Sequence, residues 1–229
     1  MTTYVFSPAE RPTVTVFASE QRFPVRRVFC VGRNYAAHAR EMGGNPEREE
    51  PFYFTKSAHA VTASGATIPY PAGTGNFHHE IELVVAIGKS GFELDQNAAL
   101  ELVFGYASGL DMTRRDLQSA AKEKGRPWSI AKDIEDGAII SPIRPVAETG
   151  HPKNARIWLA VNDVVRQDAS IDDMIWSVPE VIAHLSRFYH LAPGDLIYSG
   201  TPAGVGPVVA GDRITGGVDG VAELTLQIE

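Results

Sequence analysis

Cysteine occurs once in the 229 residues, at Cys30. No intrachain disulfide can form, and a thiolate metal site would have to draw its other ligands from elsewhere. This usage fits a reducing compartment. The first residues, MTTYVFSPAERPTVTVF, carry no basic start followed by an apolar stretch, so a cytoplasmic location is expected. Long apolar runs are also missing: nothing approaches the roughly 18 to 20 residues that span a bilayer, and a membrane is not an expected partner. Positive charge is scarce, with 21 Lys and Arg against 28 Asp and Glu for a net charge of −7. The longest basic clusters are the pairs Arg26-Arg27 and Arg114-Arg115. A nucleic-acid surface needs clustered cations, so nucleic acid is not expected either. There is no internal repeat and no low-complexity tract.

What is present is ordinary globular composition, 44% apolar and 21% charged, enough for one large domain with its own core. Residues 1–24 read as an N-terminal hairpin extension, from β-like runs at Thr3 to Phe6 and Thr13 to Phe17. Residues 25–229 read as the main domain. There RVFCVGRNYAAHAREMGG predicts a strand, a turn at Gly32 and an Ala-rich helix closed by Gly43-Gly44. PFYFTK, ELVVAIGK and VFGYASGLD predict strands, and TRRDLQSAAKEKG predicts a helix with Asp111 or Thr113 as N-cap and Gly125 as stop. Further on come a hairpin around Asn162-Asp163, a helix with Pro179 in its first turn, and three more strands. Strands outnumber helices and the connections are mixed, so the fold class is α+β with a largely β core.

Alternation along a strand puts Glu80 and Glu82 on one face, at the start of an apolar run. Side by side they repel, and a hard divalent cation held by carboxylate oxygens relieves that. Asp111, at the end of another apolar strand, could be a third ligand. An all-oxygen trio favours Mg²⁺ or Mn²⁺, with Ca²⁺ able to substitute, over zinc. The same spacing also fits two glutamates facing water on an edge strand, with Asp111 only a helix cap. His78 and His79 lack the Cys or HExxH company of a zinc site. His38 and Glu41 stand three apart on the predicted helix, where a carboxylate can orient an imidazole as a general base. Arg115 and Gln118 share a helix face in the same way, and Lys132 ends the strand-like stretch WSIAK. Glycine-rich SGTPAGVG lacks a G-K-[ST] ending and reads as a tight turn in which Thr201 and backbone amides could hold a carboxylate.

FCVGRNYAAHAREMG, HHEIELVVAIGK, GYASGLDMTRRDLQ, KGRPWSIAK, LAVNDVVRQ and LIYSGTPAGVGPV follow one another from about Val25 to the C-terminus. Together they resemble the fumarylacetoacetate hydrolase family, especially its acylpyruvase and fumarylpyruvate hydrolase branch, through H-x-x-E on the helix and H-H-E-x-E-L on the strand. The resemblance implies a mixed β-sandwich roll, a homodimer, and Mg²⁺ or Mn²⁺ on Glu80, Glu82 and Asp111. It implies His38 and Glu41 as the water-activating pair, Lys132 stabilising negative charge, and Arg33, Arg115, Gln118 and Thr201 orienting a small 2-oxo acid. The implied activity is metal-dependent cleavage of the carbon–carbon bond of acylpyruvates, fumarylpyruvate first among them, in aromatic-compound breakdown. Alternatives are a decarboxylase or tautomerase of oxaloacetate on the same site, or a non-catalytic binding protein that keeps the fold. DIEDGAIISPI after Lys132, and Ser57 after Lys56, depart from the family pattern and bear on pocket shape.

The segment from Glu41 to Phe52 resembles the family's lid, and its Pro, Gly and charge content leaves little apolar surface to hold it closed unaided. Limited proteolysis should cut it freely in the apo protein and spare it once oxalate and metal are bound. Equal cleavage in both states would remove the gating role.

Overall fold

Three of the apolar runs become adjacent strands of one sheet, and their alternation decides what lies on each side. The structure is a computed structural model that describes residues 2–41 and 49–229. Among these residues the larger sheet has eight strands. Their order is Phe52–Lys56, Arg27–Gly32, Asp195–Tyr198, Ile81–Ile87, Val103–Asp111, Ala138–Ile140 and Val61–Ala63, with Arg144–Pro145 also paired to Val103–Asp111. Pairing is mixed: Asp195–Tyr198 runs parallel to Arg27–Gly32 and antiparallel to Ile81–Ile87. A second sheet orders Val164–Ser170, Arg156–Val161, Arg213–Val218, Ala222–Ile228 and Thr67–Ile68. With a few short helices beside them, these sheets make the expected α+β fold with a largely β core.

Ile81, Leu83, Val85 and Ile87 pack with Ile157, Leu159, Ile214 and Leu224 of the second sheet in the main core. Val84 and Ala86 turn the other way, toward Val28, Cys30 and Tyr198. Glu82 shares their face, because side chains alternate. Every residue from Ile81 to Ile87 is buried, so this strand is central and the edge-strand reading of the glutamates fails. Register places Glu82 opposite Gly109, and the Asp111 amide donates to the Glu80 carbonyl at 2.9 Å. Two neighbouring strand ends therefore present three carboxylates to one side of the sheet.

Several local expectations are corrected. The N-terminal hairpin pairs Thr13–Thr15 with Arg22–Pro24. Tyr4, Val5 and Phe6 instead stay exposed and outside any strand, because nothing apolar lies across from them. Val14, Val16 and Phe23 of the hairpin join the second core cluster. The helix after Asp111 spans Arg115–Glu123 and is preceded by Arg114, with no side-chain cap; Asp111 is occupied elsewhere. Lys132 ends a short helix, Ser129–Lys132, and not a strand. Gly43, Gly44 and residues 42–48 of the expected lid lie outside the described residues. The hairpin around Asn162-Asp163 stands as expected, with both residues at positive φ (49° and 65°), and Pro179 lies in the first turn of Val178–Ser186.

The two sheets are also tied by one buried hydroxyl. Ser108 Oγ donates to the Ala222 carbonyl at 2.6 Å and accepts the Val218 N–H at 3.0 Å. Ser108→Ala leaves both backbone groups without that partner, at a cost of about 1–3 kcal/mol. Urea unfolding should show a lower midpoint with an unchanged slope; an unchanged midpoint would mean water replaces the hydroxyl.

Candidate active site

Burial of charge is the dominant feature of the site. Glu80, Glu82 and Asp111 are 4%, 1% and 0% exposed, and one ligand atom from each lies within 4.8 Å of the others. Three buried cations surround them. Lys132 Nζ donates to Glu80 Oε2 at 2.8 Å, Asp111 Oδ2 at 2.7 Å and Thr113 Oγ1 at 2.7 Å. Arg115 donates to Glu80 and, with the same guanidinium, to Gln118. Lys56 Nζ lies 2.8 Å from Asp111 Oδ1 and donates to the carbonyls of Met112 and Lys132. The sequence reading missed Lys56; a lysine inside FYFTK, a strand with aromatic neighbours, was the available signal.

The carboxylates are not equally served. Burial disfavours charge on Glu80, but Lys132 and Arg115 outweigh it and hold that carboxyl well below its ordinary range. Glu82 is pushed well above its ordinary range by burial, then by Asp111 and Glu80, against one N–H from Gly200 at 2.8 Å. Among the described residues no cation lies within ion-pair distance of Glu82. Asp111 Oδ1 has its Lys56 contact but no aligned hydrogen bond, so that contact is charge attraction only. A hard divalent cation would satisfy both atoms, and an all-oxygen donor set is the chemistry such a cation selects. The formal charges of the trio and of Lys56, Lys132 and Arg115 cancel. A divalent ion would leave two positive charges, matched by a dianionic ligand.

His78 and His79 are otherwise engaged. His78 Nε2 meets Asn76 Oδ1 at 2.8 Å while Nδ1 takes the Arg115 Nε–H at 3.3 Å; burial, then Arg115, lowers its pKa to about 4. His79 Nδ1 meets Gln167 Oε1 at 3.1 Å. Both ring nitrogens of His78 are thus engaged, and among the described residues neither histidine joins the carboxylate group that could hold a metal.

His38 ends up in the same pocket, which is also lined by Arg33, Glu80, Glu82, Asp111, Arg115, Gln118, Lys132 and Thr201. Glu41 does not line it but holds His38, with Nδ1 to Oε2 at 3.2 Å. A carboxylate only accepts, so Nδ1 carries the proton and Nε2 is left as the base. Burial lowers the His38 pKa, with Glu80 and the Glu41 hydrogen bond pulling back, so the ring is neutral near pH 7. Glu41 is itself anchored by the Gly204 N–H at 3.1 Å. The glycine-rich turn thus supplies amides to two carboxylates of the protein. Arg33 leaves its strand at φ 54° and stands 5.7 Å from the Phe52 ring.

This fold and this site define the class. Residues 27–229 match the fumarylacetoacetate (FAA) hydrolase C-terminal family model, and the chain belongs to that family. A fumarylpyruvate hydrolase of Ralstonia sp is 54% identical over 180 residues, 79% of this chain and 93% of its own. The fumarylpyruvate hydrolase of Pseudomonas aeruginosa, solved in complex with Mn²⁺ and pyruvate, superposes with a TM-score of 0.96 at 53% identity and covers 99% of both chains. The mitochondrial oxaloacetate tautomerase of Homo sapiens is 41% identical over 204 residues, 89% of this chain and 92% of its own. Among the described residues no helix is long and apolar enough to cross a membrane.

Glu82→Gln keeps an acceptor for the Gly200 amide while removing a poorly compensated buried charge. Without metal the variant should be as stable as the wild type or more so. Adding Mn²⁺ should raise the wild-type Tm and leave the variant nearly unmoved. Because the folded Glu82 carboxyl is raised, its protonated form stabilises the metal-free fold at acid pH and that contribution fades as pH rises. The Mn²⁺ increment should therefore be larger at pH 8 than at pH 6. Equal increments in both proteins would remove Glu82 from the ligand set.

Proposed function

We propose that the chain is a divalent-metal-dependent hydrolase of acylpyruvates, cleaving fumarylpyruvate to fumarate and pyruvate in the breakdown of aromatic compounds. The observation that carries this reading is a neutral histidine and a carboxylate trio, one member of which, Glu82, has no cation beside it among the described residues, opening on one pocket. The 54% identity to a fumarylpyruvate hydrolase supports it, as does the relative solved with Mn²⁺ and pyruvate. In this reading Glu80, Glu82 and Asp111 hold Mg²⁺ or Mn²⁺. Bound there, the ion would supply Lewis-acid stabilisation of negative charge developing on the 2-oxo acid end of the substrate.

The chain's own residues supply the rest. His38 Nε2 takes a proton from water as its oxygen bonds to C4 of the 2,4-diketo acid, and Glu41 holds the resulting imidazolium. The C3–C4 bond then breaks, its electron pair passes to pyruvate as the enolate, and C3 takes up the proton held by the imidazolium, which gives pyruvate beside the fumarate carboxyl and returns His38 to its neutral form. All three Lys132 protons are engaged with Glu80, Asp111 and Thr113, so Lys132 acts through its charge rather than by a hydrogen bond to substrate. Arg115 takes the Gln118 oxygen, which leaves the Gln118 amide protons for the ligand. Arg33 and Thr201 orient the carboxylates. Residues 1–24 form an N-terminal extension of the catalytic domain 25–229, and the enzyme works as a cytoplasmic homodimer.

Oxaloacetate enolisation or decarboxylation is the second reading, favoured by the 41% identical tautomerase. It needs the enolate-stabilising half of the site but no attacking water. His38→Ala should therefore cut acylpyruvate hydrolysis by about 10² to 10⁴ and affect oxaloacetate turnover much less, while Lys132→Met slows both. Steady-state rates of the wild type and both variants on both substrates decide it. Hydrolysis near the original rate in His38→Ala would remove His38 and Glu41 as the water-activating pair.

A further inference from the structure

Gln167 is fully buried at 0% exposure although its neighbours Val164, Val165, Arg166 and Asp168 are exposed. The register explains how. Gln167 faces Leu159 while Val165 faces Ala160, so Arg166 is an extra residue in the strand, and such a bulge re-aims the side chain beside it. The amide is directed inward, into the space between the two sheets' strand ends.

A glutamine amide offers two donors and two acceptor positions, and here all are used. Oε1 accepts the Ile81 N–H at 3.1 Å and faces His79 Nδ1 at 3.1 Å. Nε2 donates to the Pro202 carbonyl at 2.8 Å and to Thr201 Oγ1 at 2.8 Å. Ile81 N–H can only donate and Pro202 C=O can only accept, so the partners themselves assign which end is oxygen. It follows that His79 carries its proton on Nδ1, and that the Thr201 hydroxyl oxygen is an acceptor toward the protein. A hydroxyl has one proton, and among the described residues that of Thr201 goes to no protein acceptor. Thr201 lines the pocket. Its proton is therefore available to whatever binds there.

We propose that Gln167 is a positioning residue for substrate binding. By occupying the acceptor side of Thr201 it leaves that hydroxyl as a donor to the carboxylate of the bound 2-oxo acid, which can only accept. The inference rests on the 2-oxo acid reading given above.

Gln167→Glu tests it, since a carboxylate of the same shape can still accept from Ile81 and His79 but can only accept from Thr201. The hydroxyl proton would then turn inward, away from the ligand. Pyruvate binding is measured by calorimetry with Mg²⁺ present for the wild type, Gln167→Glu, Thr201→Val and the double variant, with Mn²⁺ affinity measured separately. Each single variant should weaken pyruvate by about tenfold or more, the span of one hydrogen bond to a charged group. The double variant should bind no more weakly than Thr201→Val alone, and Mn²⁺ affinity should stay near that of the wild type. If Gln167→Glu does not fold, Gln167→Met enters the same cycle, because it frees the hydroxyl without adding charge. An unchanged affinity in the Gln167 variant overturns the proposal. So does a loss that persists in full in the Thr201→Val background, or one that tracks lost Mn²⁺. Should the wild type bind neither pyruvate nor oxalate, the 2-oxo acid reading itself falls, an outcome distinct from these.

Discussion

Three carboxylates buried within 4.8 Å of one another repel strongly: two unit charges about 4 Å apart interact by roughly 4 kcal/mol at an effective dielectric near 20. Much of the surrounding structure answers that repulsion. Lys56 comes from a strand of the large sheet itself, Lys132 from a four-residue helix and Arg115 from the helix after Asp111, so two helices are held to the sheet through charge. The arrangement is interdependent. Lys56 also caps the Lys132 and Met112 carbonyls, so the residue that faces Asp111 fixes the end of the helix carrying the next cation. Removing one member of such a buried set leaves its partner uncompensated, which generally costs more than the pair contributes.

Neutral donors do what further cations could not. Gly200 and Gly204 sit at φ 100° and 93°, and a Cβ would lie 2.6 Å from Asn34 Cβ at the first and 2.0 Å from the Arg166 carbonyl oxygen at the second. Only glycine fits these positions, and each offers its N–H to a carboxylate, Glu82 in one case and Glu41 in the other. Because an amide adds no net charge, the loop orients these groups without cancelling the affinity of the trio for a cation or the basicity of the histidine.

What the sequence showed of this depended on range. Alternation put Glu80 and Glu82 on one face, and helical spacing joined His38 to Glu41 and Arg115 to Gln118, as the contacts bear out. The α+β class followed from strand content and order. Contacts across more than a hundred residues carry no such local sign. Asn34 donates to the carbonyls of Trp176 and Ser199, clamping the strand-to-helix turn ahead of His38, and no spacing rule links those positions. Lys56 looked like the polar end of a strand. Lys132 was misplaced on a strand because SIA is equally apolar in a short helix, and of the two readings of Asp111, ligand or helix cap, the cap fails because its side chain faces Lys56 and Lys132. The first strand of the N-terminal hairpin was expected too early because Thr3 to Phe6 has β-type residues but no core to face.

The two halves of the site differ in how they are held. The carboxylate trio belongs to the ends of central strands and is anchored by buried cations. The base is carried on a six-residue helix, Ala36–Glu41, and its orienting carboxylate is 35% exposed and tied down by the Gly204 amide. Under the proposed mechanism, changes in that helix or in the glycine turn would therefore alter water activation while leaving the trio in place. In that mechanism enolate chemistry would require only the trio with a bound ion, whereas hydrolysis would require both halves in register. This separation gives a physical basis for one family to include relatives named as a fumarylpyruvate hydrolase at 54% identity and as an oxaloacetate tautomerase at 41%. In this chain the His38–Glu41 hydrogen bond and the Gly204 anchor are both made, and they are the features on which the proposed hydrolytic half would depend.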